Sequence, residues 1–74
     1  MVSIRNRVFD HYATENGVQV SVDYVEVYCL STDEKPVARI ANGSMLIEED
    51  TRKIYLFDEE NGIWRHFGGG EADD

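Results

Sequence analysis

NGSMLIEEDTRKIYLFDEENGIW, residues 42–64, reads as three short strands joined by two tight turns, with the chain's single tryptophan, Trp64, on the last strand. Ile54 and Leu56 alternate with Tyr55 and Phe57, the spacing at which successive side chains point to opposite faces of a sheet. Asp50-Thr51-Arg52-Lys53 and Glu59-Glu60-Asn61-Gly62 interrupt the pattern where the chain must reverse. Asn-Gly between apolar runs is a strong hairpin signal, because both residues accept φ > 0. These residues specify a meander; on their own they specify no chemistry.

Toward the N-terminus, Glu15-Asn16-Gly17 repeats the hairpin signal. The strand after it has Val18, Val20, Val22 and Tyr24 alternating with Gln19, Ser21 and Asp23, as in a strand buried on one face. The phase then changes, and Val25, Val27 and Cys29 stand on odd positions. A β-bulge produces such a change, and so does a strand buried on both faces, as at a subunit interface. Irregularity is therefore expected over residues 24–30. Residues 4–13 are readable two ways. Ile4, Val8, His11 and Tyr12 have helical spacing, whereas the β-favouring Val8, Phe9 and Tyr12 running into a hairpin turn point to a strand. The strand is the reading adopted.

Residues 31–43 form the longest break. Pro36 cannot donate to a sheet ladder, but Val37, Ala38, Ile40 and Ala41 make the segment apolar enough to pack across the domain as a crossover. Residues 68–74, GGGEADD, hold nothing apolar larger than alanine and are expected to be disordered. The whole reads as one small all-β domain, residues 1–67. It is expected to be an antiparallel meander of about five strands in hairpins, completed by oligomerisation.

The expectation of a homo-oligomer follows from size. A chain of 74 residues buries only about 60% of its unfolded surface. Cys29 is the lone cysteine and no His/Cys cluster offers a structural metal, so self-association is the remaining means of support. One unpaired cysteine, no signal peptide and no apolar run near the length of a membrane span point to a protein of a reducing compartment, with no membrane partner. The formal charge of −8 argues against direct contact with nucleic acid, which needs clustered Lys and Arg. Arg5 and Arg7 make residues 1–9 basic, and all fifteen acidic residues follow from Asp10 onward. Such a balance fits a solvated acidic surface, docking on a basic patch of another protein, or imitation of DNA phosphates.

No catalytic, metal or cofactor site is expected. His11 and His66 lie in different hairpins beside aromatics, and a histidine on a strand of a small β domain more often has a structural role. Cys29 lacks an oxyanion hole and an orienting third group, and reads as a small buried hydrophobe. Glu48-Glu49-Asp50 and Asp58-Glu59-Glu60 lack the alternate-residue spacing and loop glycine of a calcium site. In turns, Asp50 and Asp58 can instead accept hydrogen bonds from their own loop amides. Most aromatics are expected in the core. The candidates for an interface are Tyr28, Tyr55 and Trp64.

The order Leu30-Ser31-Thr32-Asp33-Glu34-Lys35-Pro36, then Asn42-Gly43-Ser44, then Glu49-Asp50-Thr51, then Ile54-Tyr55-Leu56-Phe57-Asp58-Glu59-Glu60-Asn61, then Trp64 is written LSTDxKP…NGSxxxExDTxxxYxFDEExxxW. It resembles a motif string of small tailed-phage and prophage structural proteins, often labelled head fibre proteins. The likeness covers residues 30–64 and departs in two places, with Glu49 where an apolar or small residue often sits and Arg52 where a turn glycine is common. The resemblance implies a non-enzymatic, head-associated or other virion component that contacts other virion proteins. Such a protein is made in the host bacterial cytoplasm and leaves in the particle. The alternative is a phage-encoded acidic inhibitor of a host defence or nucleic-acid enzyme, which would need its acids on one continuous face.

Overall fold

The computed structural model describes residues 1–69, and every regular element among them is a strand: β1 (Ser3–Glu15), β2 (Val18–Cys29), β3 (Met45–Glu48), β4 (Lys53–Asp58) and β5 (Ile63–Gly69). They form one five-stranded sheet in the order β1-β2-β3-β4-β5. The all-β expectation holds, and the ambiguous first segment is strand β1. No helix among these residues is long and apolar enough to cross a membrane.

The sheet is mostly antiparallel, with β2 and β3 running parallel. A parallel pair cannot be closed by a tight turn and needs a crossover of about a dozen residues. Residues 30–44 supply it. Ile40, Ala41 and Ser44 are buried, Ile40 forms a parallel bridge with Asp23, and the Trp64 indole N–H donates to the carbonyl of Pro36 at 2.8 Å. The crossover thus covers one face of the sheet. Beneath it lies the core of Val25, Val27, Cys29, Ile40, Leu46 and Phe57, with Val2, Tyr55 and Trp64 packed against it.

The turns show how local sequence sets register. Asn16 (φ 52°) and Gly17 (φ 78°) both adopt positive φ, so β1 and β2 close as a primed two-residue turn whose twist matches that of the strands. The other two hairpins share a longer design. The Gly62 amide donates to the carbonyl of Asp58, and the Arg52 amide donates to that of Glu48. Gly62 (φ 67°) and Arg52 (φ 63°) occupy the same left-handed position. Arg52 therefore performs glycine's conformational role, against the side-chain clash that makes αL costly for other residues.

The phase change in β2 falls where the sequence places it: Val22 is buried on the even parity, and Val25, Val27 and Cys29 on the odd. The extra residues sit in the partner strand. The pairing of β1 with β2 shifts between Arg5 and Val8 and again between Phe9 and His11. On the other edge of β2, its neighbour changes from the crossover at Asp23 to β3 at Glu26.

The disorder expected over residues 68–74 does not hold for Gly68 and Gly69, which belong to β5. Gly68 pairs with Ile54, and Gly69 with Lys53, because ladder hydrogen bonds require no side chain. A Cβ on Gly69 would lie 2.3 Å from the carbonyl oxygen of Arg52, so the absence of a side chain permits the close approach. The remainder of that segment, residues 70–74, lies outside the described residues.

Candidate interaction surface

The two faces of the sheet differ. Along β2 and β3 burial alternates: Val25, Val27, Cys29, Leu46 and Glu48 are buried, while Tyr24, Glu26, Tyr28, Met45 and Ile47 between them are half-buried. Cross-strand partners share a face. Tyr28 pairs with Ile47 and Ile47 with Ile54, while Glu26 pairs with Met45, Met45 with Leu56, and Leu56 with Arg65. The face away from the crossover is thus apolar at its centre, formed by Tyr28, Met45, Ile47, Ile54 and Leu56.

Tyr28, Tyr55 and Trp64 do not come together. Tyr28 lies on this open face, beside a groove edged by Ser3, Arg5, Asn6 and Glu49. Tyr55 and Trp64 lie on the core side. The Trp64 ring packs edge-on against Phe57 with centroids 4.8 Å apart, and Tyr55 packs against His66 at 5.5 Å. Burial, ahead of the nearby Glu48 carboxylate, raises the Tyr55 hydroxyl pKa. Cys29 is fully buried, and burial raises its thiol pKa as well.

The turn-side half of the β1–β2 hairpin adds a second surface, which spacing alone could not reveal. Residues three apart on a regular strand point to opposite faces, yet the Phe9 and Tyr12 rings pack at 4.8 Å. The register shift at Asp10 explains this contact: one extra residue reverses parity and places both rings on one side. Both remain more than half exposed. The sequence signal was present, in that β1 carries apolar residues on both parities among charged ones.

The same shift turns Asp10 and the adjacent His11 to one side. His11 Nδ1 lies 2.6 Å from the Asp10 carboxylate, and Nε2 lies 3.1 Å from that of Glu59. Glu59 is itself fixed: its carboxylate accepts from the Asn42 amide, and its own amide donates to the Asn42 side chain. Two carboxylates facing both ring nitrogens call for two N–H donors, which only imidazolium has. The Asp10 hydrogen bond, with Glu59 adding, raises the His11 pKa above 6.5. This cluster and the Arg39–Glu15 ion pair at 3.2 Å tie the hairpin to the body.

The motif residues are largely engaged in holding the crossover. Ser31 donates from its amide and hydroxyl to Asp50, Lys35 pairs with the buried Glu48 at 3.2 Å, and the Thr51 hydroxyl donates to Glu48 at 2.6 Å. The buried Ser44 hydroxyl accepts from the Val25 amide. Asp50 accepts from the Thr51 amide, and Asp58 from that of Asn61. Side-chain hydrogen bonding from Asn61, then Arg65, lowers the Asp58 carboxyl pKa to about 2. Among the described residues no group of three or more His, Cys, Asp and Glu side chains is placed to hold a metal ion. No family model, curated protein or solved structure matches this chain.

Proposed function

We propose that this chain is a non-enzymatic structural protein that acts through protein–protein contacts. The setting is the one the motif resemblance implies: a tailed-phage or prophage virion, as a head-associated or other component made in the host cytoplasm. The observation that carries the reading is the β1–β2 hairpin. Its first strand has no buried residue, and yet it holds Val8, Phe9 and Tyr12 more than half exposed, the two rings brought together at a tilt by a bulge. Aromatics paired with each other and exposed on a two-stranded ribbon suit the centre of an interface. Asn42, Ser44, Asp50, Thr51 and Trp64 carry hydrogen bonds that hold the fold, which leaves the hairpin as the element free to meet another virion protein.

The carboxylates argue against the inhibitor reading. Asp23, Glu15, Glu48 and Asp58 are engaged by Arg7, Arg39, Lys35 and Arg65, and Asp50 and Glu59 by loop amides. A phosphate mimic needs its charges unpaired on one surface. The test is incorporation into particles of the Phe9→Ser/Tyr12→Ser double variant, with circular dichroism to verify the fold. Lost incorporation with an unchanged spectrum is expected. Full incorporation would overturn the assignment of the hairpin, and absence of the unmodified chain from purified particles would overturn the virion setting.

A further inference from the structure

Strand β4 carries apolar side chains on both parities, Ile54 and Leu56 on one and Tyr55 and Phe57 on the other. β3 does the same, with Leu46 on one face and Met45 and Ile47 on the other. A near-continuous apolar run is the pattern of a strand covered on both sides, and the crossover covers only one. We infer that a second copy of this chain covers the open face, two sheets packing face to face around Tyr28, Met45, Ile47, Ile54 and Leu56. The inference rests on the reading of the chain as a contact protein, but it uses a different surface from the hairpin tip.

Charge selects the occupant. By cross-strand pairing, Arg5, Glu26, Asp58 and Arg65 share the open face. With Glu49 beside Tyr28, two cations and three carboxylates stand there, a net charge of −1 against −8 for the whole chain. A strongly basic partner would find far less negative charge on this face than on the rest of the chain. Two acidic copies approach here with the least repulsion, and a two-fold axis can place the cations of one rim over the carboxylates of the other.

Area and edges agree. Five strands about 4.8 Å apart, contributing about 20 Å of length each except the shorter β3 at about 13 Å, present roughly 450 Å² per copy, close to the ~1,000 Å² total of a small specific interface. Tyr24, on the same parity of β2 as Glu26 and Tyr28, extends it. Edge-to-edge association is disfavoured instead. β1 is interrupted by two register shifts and β5 by one beside Phe67, and irregular edges resist ladder formation. Face packing leaves those edges undisturbed and builds the two-layer arrangement that apolar sheet faces require.

Sedimentation equilibrium of the full chain tests this, together with isotope-filtered NOE spectra on a mixture of labelled and unlabelled copies. A mass of twice the chain is expected at tens of micromolar, with intermolecular NOEs at the Ile47 and Ile54 methyls. Ile54→Lys should return the mass to that of one chain while Phe67→Ser leaves it doubled. The NOE measurement needs no substitution, so it decides the matter even if Ile54→Lys unfolds. A monomer at all concentrations, or intermolecular NOEs confined to the hairpin, would overturn the inference. Capture of a different virion protein on this face by a monomeric chain would overturn it too, while leaving the contact function standing.

Discussion

The two ends of β2 are made of the same residues and live in different surroundings. Val18 is 60% exposed, whereas Val25 and Val27 are 1% and 0% exposed. Valine's preference for a pleated backbone is satisfied at both ends. Only from Asp23 onward does the strand acquire a second neighbour, first the crossover and then β3. Period-2 patterning therefore identified the strand, while burial came from a connection distant in sequence. The hairpin end is a ribbon held by two ionic ties; the body is a covered sheet.

The sharpest test of that contrast is a matched pair of phenylalanines. Phe57→Ala should cost about 3–5 kcal/mol in urea unfolding, as for a buried aromatic. Phe9→Ala should stay within about 0.5 kcal/mol as a surface change. Equal costs would mean that the hairpin packs as tightly as the body.

Ser44→Ala addresses how the crossover is attached. The Ser44 side chain is fully buried, and its oxygen accepts from the Val25 amide at 3.0 Å. Leaving that amide without a partner should cost about 1–3 kcal/mol, read as a lower urea midpoint with unchanged slope. A comparable loss is expected at the last strand. Gly69→Ala meets the Arg52 carbonyl and a φ of 75°, and strain of this kind costs roughly 1–3 kcal/mol. No change would mean that β5 stops at Phe67.

Arg52→Gly is a smaller effect of opposite sign. It relieves a left-handed φ at the position equivalent to Gly62 and should raise stability by up to about 1 kcal/mol.

The two regions should also differ in pH response. Asp58 in the body has its pKa lowered from 3.8 to about 2. Its contribution is complete above pH 3.8 and is lost as pH falls toward 2. His11 in the hairpin is raised above 6.5 by Asp10 and Glu59, so its contribution is complete below 6.5 and is lost as pH rises through its folded value. Histidine NMR titration, with amide exchange of the hairpin recorded alongside, checks this. A His11 pKa at or below 6.5, or hairpin exchange insensitive to its titration, would refute the tie.

Strands β2 to β5 and the tight turns were legible along the chain, because alternation, Asn-Gly and Asp at loop starts act over a few residues. The sequence by itself also placed the phase change near Tyr24, the burial of Cys29 and the crossover across residues 31–43. Three matters depended on the tertiary structure. The parallel pairing of β2 with β3 depends on where the crossover returns the chain. The meeting of Phe9 with Tyr12, and of His11 with Glu59, depends on an unpaired residue in β1, and spacing counted along a regular strand assigns the wrong side beyond such a bulge. The separation of Tyr28 from Tyr55 and Trp64 depends on which face the crossover covers. Apolar residues stand on both parities of β3 and β4, and only the path of the crossover decides which parity the chain itself covers.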